Sequence, residues 1–225
     1  MDTSLSQLRP SYFLSLARYN AALAQRNALL KRGQGDLDSL LDAFDITLSE
    51  YGAKVMENRR QFVQALAPLA AQIHQDVAEG ESLRVQYKTQ IETSQSDLQA
   101  CLFEALQKGR ADDLRRAMTL TGPHRDDLFL EVAGKDARSY ASQGQQRTAA
   151  LSLKLASAEQ MQQETGQAPI LMLDDVFSEL DIKRQQALLK RIRGQALLTT
   201  ATQPPDMLEH ASVYTVAQGQ VKWKR

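Results

Sequence analysis

The stretch ILMLDDVFSELD, residues 170–181, decides the fold of this chain. Its first four residues are all apolar, which is typical of a strand buried in a parallel sheet. Asp174 and Asp175 follow at the carboxyl end of that strand, the edge at which open α/β sheets bind ligands. Because neighbouring side chains of a strand point to opposite faces, the chain must bend there if both carboxylates serve one site. Helix capping or a turn would explain the two aspartates equally well.

The part of the sequence before about residue 118 follows helical spacing. Helices are predicted over about 11–31, from Asp36 through Leu66, and over about 94–109 with a short helix to Met118. Pro68 is expected to kink or break the second of these helices. Residues 83–87 alternate between apolar and polar side chains, which predicts a half-buried strand.

From residue 119 to residue 225, short strands and helices alternate. Strands are predicted at 128–132, 138–140, 170–173 and 196–201, helices at 144–164 and 181–193, and a terminal hairpin around Gly219. Strand, helix, strand in this order favours an α/β sheet. The chain is therefore predicted to have a mainly helical domain over residues 1–118 and an α/β domain over residues 119–225.

Composition narrows the class of protein. The 225 residues carry a net charge of zero, so no overall basic field marks a nucleic-acid binder, although local patches stay open. The apolar runs are too short to cross a bilayer, and the N-terminus lacks the pattern of a signal peptide. The one cysteine, Cys101, allows no disulfide within the chain. A reduced, cytoplasmic setting without membrane contact is the simplest interpretation.

A second polar cluster, ASQGQQ at residues 141–146, opens the helix predicted before the 170–173 strand. The exposed N–H groups and the dipole of a helix N-terminus attract anions. Ser142 adds a hydroxyl donor, and Gly144 would let a phosphate approach the backbone closely. A simple serine N-cap would explain the same residues.

A third cluster, TGPHRDD at residues 121–127, places His124, Arg125, Asp126 and Asp127 after a Gly-Pro turn. A metal site on these residues has weak support, because spacing alone supplies no ligand set. A local Arg–Asp network that holds the turn is the favoured interpretation.

Taken in order, GPHRDD, ASQGQQR and LDDVFSELD resemble the RecF family of bacterial recombination-repair proteins, which are ABC-type ATPases. Tyr19-Asn20 and QRNALLK at 25–31 look like the RecF arm, and TTAT at 199–202 resembles its late switch strand. The resemblance covers nearly the whole chain. It implies that residues 119–225 form the C-terminal half of an ABC-type ATPase head and that residues 1–118 form its helical arm.

The resemblance also implies roles for single residues. Asp174 would hold Mg²⁺ through water and Asp175 would be the catalytic residue that polarises the attacking water, as in a Walker B motif. Four signature residues would contact ATP bound to the other subunit of a dimer, although the second of them replaces the usual glycine: Ser142, Gln143, Gly144 and Gln145. The D-loop that couples the two sites would comprise Ser178, Glu179, Leu180 and Asp181. Thr200 would sense the γ-phosphate.

A phosphate loop of the form GxxxxGK[ST] does not occur in the sequence. The resemblance places that loop before the arm, so the chain is expected to be a fragment that hydrolyses no ATP alone and binds neither ATP nor Mg²⁺ tightly. Part of the head sheet would then be missing, which would leave apolar surface exposed.

The complete protein is expected from the resemblance to bind single-stranded and gapped duplex DNA as an ATP-dependent homodimer. It would help RecO and RecR to load the RecA recombinase. Basic pairs such as Arg59-Arg60 and Arg115-Arg116 are better explained as solvated helix faces than as DNA contacts. The alternative function is a non-enzymatic module, in which the helical arm binds a protein partner or DNA beside a passive head remnant.

Overall fold

The computed structural model of the protein describes residues 1–32, 37–78, 80–91, 97–177, 180–201 and 211–224. The chain divides into two compact units, Met1–Ala168 and Pro169–Arg225. The first unit is built mainly of helices with one small antiparallel sheet. The second combines a parallel pair of strands, a helix and a hairpin.

The helices of the first unit are α1 (Asp2–Leu8), α2 (Pro10–Arg32), α3 (Leu37–Val77), α4 (Leu98–Arg116), α5 (Ala137–Tyr140) and α6 (Gln143–Thr165). The helix predicted over 11–31 is confirmed as α2, whereas α1 has only seven residues and no periodic signal predicted it. Contacts with α2, α4 and α6 make α3 the central helix of this unit.

The long helix α3 continues through Pro68, so the prediction that the proline breaks it is wrong. Pro68 itself is exposed, and the carbonyl that loses its amide partner can therefore be hydrated. Leu66, Ala70 and Ile73 are buried on either side of the proline, and this burial holds both halves of the helix in place. A kink at this position stays a prediction.

A buried cluster joins α2, α3 and α4. Its members are Tyr19, Ala22, Leu48, Met56, Ile91, Leu102 and Leu106. The helices approach closely at Gly52, where an added Cβ would lie 2.6 Å from Leu102 and 3.2 Å from Tyr19. Burial of each large apolar side chain contributes about 1.5–3 kcal/mol relative to leaving it exposed.

Helix α4 runs through Gly109 without a break, which corrects the prediction of two shorter helices. A Cβ at Gly109 would meet only Thr121 Oγ1, at 3.6 Å. Asp97 caps the helix by accepting a hydrogen bond from the amide of Ala100 at 2.9 Å. The predicted start at residue 94 lies outside the described residues.

The small sheet has the order β1 (Leu83–Lys88), β2 (Asp127–Val132) and β3 (Lys135–Asp136), and all its pairs are antiparallel. The strand predicted at 83–87 is confirmed, and its register with β2 runs from Leu83↔Val132 to Lys88↔Asp127. This pairing crosses the predicted domain boundary at 118/119. The compact units thus divide elsewhere than the predicted arm and head, whose assignment stays a prediction.

The strand predicted at 138–140 is wrong, because these residues belong to α5. The Asp136 carboxylate accepts a hydrogen bond from the Arg138 amide at 2.9 Å and starts the helical turn. The helix predicted at 144–164 is confirmed as α6, and Gly166 ends it in the left-handed conformation at φ +73°.

The second unit contains β4 (Leu171–Leu173), α7 (Ile182–Arg191), β5 (Ala196–Leu198), β6 (Val213–Ala217) and β7 (Gln220–Lys224). Strands β4 and β5 are parallel, and Leu171 pairs with Ala196. Strands β6 and β7 form the predicted terminal hairpin.

Strand β4 is buried on one face only, which corrects the prediction of a fully buried strand. Leu171 and Leu173 are buried, whereas Ile170 and Met172 are 59% and 67% exposed. In the described residues β4 and β5 form a sheet of two strands, and Met172 lies on its exposed face. Exposed apolar surface was expected for this sheet, and Leu197 on β5 belongs to it as well.

None of the helices in the described ranges combines the length and the apolar character that a membrane span requires.

Candidate functional site

The carboxyl end of β4 presents Asp174 and Asp175, and the side chain of Thr199 organises them. The Thr199 hydroxyl donates a hydrogen bond to Asp174 Oδ1 and accepts one from the backbone N–H of Asp175 at 3.0 Å. The amide of Thr199 in turn donates to the carbonyl of Leu173 at 3.0 Å, which extends the parallel pairing of β4 with β5. One hydroxyl therefore holds both residues of the acid pair.

The chain bends at Asp175, where φ is +46°. This left-handed conformation is uncommon for a residue with a Cβ. It interrupts the strand alternation directly after Asp174, which is the bend that two adjacent carboxylates need to serve one site. The Asp175 amide finds its partner in Thr199, so the turn is stabilised by a side chain of the neighbouring strand.

Both carboxylates are exposed, and their chemistry fits a divalent cation. Mg²⁺ prefers oxygen ligands and is usually bound through one or two carboxylates, with water and substrate phosphates completing the shell. In the part of the chain that the structure describes, no group of three or more His, Cys, Asp or Glu side chains is placed to hold a metal.

The turn after the acid pair is held by Gln185 on α7. Its side-chain amide donates to the carbonyls of Phe177 at 3.0 Å and Leu180 at 2.8 Å. Asp181 caps α7 by accepting from the Arg184 amide at 2.9 Å. Of the four predicted D-loop residues, Leu180 is buried and Asp181 is this cap, while Ser178 and Glu179 lie outside the described residues.

The contact between the second strand and the acid pair is made by Thr199, which belongs to the predicted switch strand but was given no role of its own. Thr200, the predicted switch residue, follows it in the chain. A signal for Thr199 does exist in the sequence. It is the first polar residue after a predicted strand, and the carboxyl ends of parallel neighbours lie at the same edge of a sheet.

The predicted signature cluster starts α6 with a complete capping box. The Ser142 hydroxyl accepts from the Gln145 amide at 3.2 Å, and Gln145 Oε1 accepts from the Ser142 amide at 3.0 Å. The next residue, Gln146, donates from its side chain to the carbonyls of Ala137 at 2.9 Å and Ala141 at 3.3 Å. These contacts explain the serine and two of the glutamines as structural residues.

Gly144 is not explained by packing within the chain. A Cβ at this position would meet no heavy atom within 4 Å, and the backbone φ does not require glycine. Gln143 and Ser142 beside it are exposed. The first turn of α6 therefore combines open space at Gly144 with the positive end of a 23-residue helix, which attracts anions.

The third cluster is bonded mainly to residues outside itself. His124 Nε2 faces the carbonyl oxygen of Thr119 at 3.0 Å and therefore carries the proton, so Nδ1 accepts from the Tyr19 hydroxyl at 2.7 Å. Burial lowers the pKa of His124, which favours this neutral form. Both ring nitrogens are thus occupied, and the metal interpretation of His124 is wrong.

The remaining members of this cluster bond to separate partners. Arg125 donates to the carbonyl of Thr119 at 3.3 Å, and Asp126 accepts from the Tyr87 hydroxyl. Asp127 accepts from the Leu128 amide at 2.8 Å, and its other oxygen lies 3.9 Å from Arg138. The cluster joins the turn to α2 and β1 rather than forming one Arg–Asp pair.

Arg26, from the arm-like QRNALLK stretch, is fully buried. It donates to Asp45 at 2.8 Å, to Asp113 at 2.6 Å and to Thr119 Oγ1 at 2.8 Å. Its neighbour Asn27 accepts from the Thr119 amide at 2.7 Å. These residues tie α2, α3 and α4 to the segment that leads into the third cluster, and this role was not predicted.

Comparison with known proteins supports the predicted family. The chain is 40% identical over 221 residues to the DNA replication and repair protein RecF of Bacillus cereus (strain B4264), and to RecF of Bacillus thuringiensis (strain Al Hakam) at the same level. Each match covers 95% of this chain and 59% of the relative, so the chain spans about three fifths of these proteins. No family model matches the chain.

Solved structures agree with the sequence matches. The chain resembles a structure of the recombination mediator protein RecF-ATPrS in the RecFOR pathway with a TM-score of 0.85 at 33% identity, which covers 99% of this chain and 61% of that one. A RecF-ATP structure matches with a TM-score of 0.84. The predicted class, part of an α/β ABC-type ATPase head with a mainly helical arm, is thereby confirmed. Sequence and fold together identify this chain as RecF-like over the part of RecF that it spans.

Proposed function

We propose that this chain contributes half of each composite ATP site in a DNA replication and repair protein. The observation that carries the proposal is the acid pair, Asp174 and Asp175, set by Thr199 at the carboxyl edge of two parallel strands. Phosphoryl transfer depends on positioning and charge stabilisation more than on covalent chemistry. Two exposed carboxylates beside a bend are suited to that task.

In this proposal the two carboxylates of the acid pair have different roles. Asp174 holds Mg²⁺ through water, and Asp175 polarises the water that attacks the γ-phosphate of ATP. Thr199 keeps the two apart by bonding the carboxylate of one and the backbone of the other. Thr200 reports the presence of the γ-phosphate, and the D-loop residues Ser178 and Asp181 couple the two sites.

The signature residues serve the partner subunit. Ser142, Gln143, Gly144 and Gln145 contact ATP that is bound to the other copy, so that ATP closes a two-fold dimer and hydrolysis releases it. The support for this is the open first turn of α6, where Gly144 leaves room for a ligand. The complete dimer binds single-stranded and gapped duplex DNA in the cytoplasm and acts with RecO and RecR to load RecA.

The test is ATP-dependent association of this chain with a relative that supplies a phosphate loop. The purified chain is mixed with full-length Bacillus cereus RecF, and the complex is measured by analytical ultracentrifugation with ATP, with ADP and without nucleotide. A complex that forms only with ATP is expected. Equal association under all three conditions would contradict the proposal.

A pair of matched variants sharpens this experiment. Gly144→Leu should abolish the ATP-dependent complex without unfolding the chain, because the new side chain enters open space where the phosphate must approach. Ala150→Leu adds the same side chain at an exposed position of the same helix and should leave the complex intact. In a longer protein that carries a phosphate loop, Asp175→Asn should retain ATP binding and slow hydrolysis.

One observation favours the alternative of a non-enzymatic helical module. The first unit has its own apolar cluster and its own buried ionic network around Arg26. Under this alternative, the whole chain binds RecR or gapped DNA to the same extent with and without ATP. The module is favoured if either partner binds equally well with and without ATP and no ATP-dependent complex forms with RecF.

A further inference from the structure

Glu81 lies just before β1, between the end of α3 and the first turn of α6. Both of its carboxylate oxygens lie 3.3 Å from Gln145 Nε2, which donates to them. One of them also lies 3.9 Å from Nε2 of His74, a fully buried residue of α3. The carboxylate therefore bonds a signature residue and lies beside the central helix of the first unit.

The contact sets the orientation of the Gln145 amide. Gln145 Oε1 accepts from the Ser142 amide and completes the capping box, while Nε2 points at Glu81. If the amide turned over, its oxygen would face the carboxylate and its NH₂ group would face another donor, the Ser142 N–H. Glu81 thus selects the one orientation in which Gln145 can cap the helix.

A second link runs from α3 to the same turn. Ser152 donates to the carbonyl of Thr148 at 2.8 Å, so its oxygen is left to accept from His74 Nδ1 at 3.2 Å. Thr148 donates in turn to the carbonyl of Gly144 at 2.9 Å. This hydrogen-bonded route from the last turn of α3 ends on Gly144, two positions after Ser142, and Glu81 bonds Gln145, three positions after it.

We infer that Glu81 is a positioning residue for the signature turn. It fixes Gln145, and through Gln145 the cap at Ser142, in the geometry that meets a nucleotide on the partner subunit. A displacement of α3 would move Glu81, which follows that helix in the chain, and through Glu81 the nucleotide-facing residues. The inference rests on the proposed function of the signature turn, but the positioning itself can be measured without ATP.

The experiment uses three variants of the whole chain. Glu81→Ala removes the acceptor, Glu81→Gln keeps an acceptor oxygen, and Glu164→Ala removes a carboxylate at the other end of α6 that pairs with Arg9 at 3.3 Å. Hydrogen exchange of the backbone amides at residues 142–146 measures how firmly the helix cap is formed. ATP-dependent association with Bacillus cereus RecF measures whether the signature turn can still bind nucleotide on the partner. The melting temperature of each variant is measured alongside.

Glu81→Ala should speed exchange of the Gln145 amide and weaken the ATP-dependent complex, each by about fivefold to tenfold, because a hydrogen bond to a charged group is lost. Glu81→Gln should stay close to wild type, and Glu164→Ala should change neither readout. The melting temperature should be nearly the same for all three variants.

Three results would overturn the inference: unchanged exchange and association in Glu81→Ala, an equal loss in Glu164→Ala, or no rescue in Glu81→Gln. If the wild-type chain forms no ATP-dependent complex, the proposed function fails, and the exchange data still decide whether Glu81 positions the cap. The two failures are therefore distinguishable.

Discussion

Arg26 and the acid pair at Asp174 and Asp175 show two opposite uses of charge in this chain. Arg26 is fully buried and bonds two carboxylates and a hydroxyl within 2.8 Å. Asp174 and Asp175 are exposed, and the Thr199 hydroxyl bonds the carboxylate of one and the backbone of the other. Both groups stand in stretches that resemble RecF, so resemblance alone does not separate structural from chemical residues.

The difference follows from desolvation. A buried ion must be paired and hydrogen-bonded, since the low dielectric inside the protein offers no other compensation. The groups that pair with such an ion are then not available to bind a ligand. An exposed carboxylate at a sheet edge has a small desolvation cost, and its oxygens can bind a cation or water. Burial and pairing with carboxylates therefore mark Arg26 as structural, and exposure beside a left-handed backbone marks the acid pair as a candidate for chemistry.

The largest effect is expected when Arg26 is replaced by Met. The carboxylates of Asp45 and Asp113 would remain buried with fewer partners, and the free energy of unfolding should fall by about 3–5 kcal/mol. Urea unfolding followed by circular dichroism measures the loss. Arg115→Ala, which breaks an exposed pair with Asp112 on α4, is the control and should cost less than about 1 kcal/mol. If the two variants lost similar free energies of unfolding, the distinction between the buried and the exposed charges would be refuted.

A smaller loss is expected from Gly122→Ala. Gly122 has φ +129°, and a Cβ there would lie 2.5 Å from the Tyr19 hydroxyl that bonds His124. Strain and displacement of Tyr19 should together cost about 2–3 kcal/mol. Gly134→Ala provides the control, because Gly134 also has a positive φ but an added Cβ meets nothing within 4 Å. That variant should cost about 1 kcal/mol in the same unfolding assay, and equal costs would exclude the contact with Tyr19.

Thr199→Val tests the acid pair and should change stability by only about 1 kcal/mol, because water can replace a hydroxyl at an exposed site. The sensitive readout is the Asp175 amide, whose hydrogen exchange should become faster in nuclear magnetic resonance spectra. Thr199→Ser keeps the hydroxyl and should restore slow exchange. If valine leaves the exchange unchanged, Thr199 does not hold the bend.

The smallest effect is a dependence of stability on pH through His124. Burial lowers the pKa of His124 below its ordinary value of 6.5, so the native state keeps the ring neutral while the unfolded chain accepts a proton. The contribution is complete above about pH 6.5 and is lost as the pH falls from there toward the native pKa. Unfolding free energies at pH 7.5 and 5.5 should therefore differ more for the wild type than for His124→Gln. A steeper dependence in the variant would reverse the expected sign.

Local rules account for the elements that were predicted well. The buried residues of α2 recur at helical spacing. Ser142 and Asp181 are caps that follow from the residue type and its place before a helix. The same rules failed where packing outweighed them. Pro68 stays inside α3 because its neighbours are buried, and residues 138–140 form a helical turn because Asp136 caps them.

In the candidate site, too, the sequence predicted some residues and missed others. Sequence predicted the acid pair and the bend it needs, since adjacent strand residues point to opposite faces. It did not single out Thr199 or Glu81, because each acts through a partner that is distant in the chain. Thr199 lies 25 residues from Asp174, and Glu81 lies 64 residues from Gln145. Neither residue belongs to a pattern that spacing alone can reveal.

The amino-acid sequence by itself determined the order of the motifs, the family they resemble, and the helices and caps that depend on neighbouring residues. Only the tertiary structure decided which polar residues are consumed by the fold and which stay open. Arg26 was one basic residue among many until α3 and α4 enclosed it with two carboxylates, and His124 was a candidate ligand until Tyr19 and Thr119 occupied its nitrogens. The physical reason is that burial and hydrogen bonding depend on residues brought together from far along the chain, whereas periodicity and capping depend on residues a few positions apart.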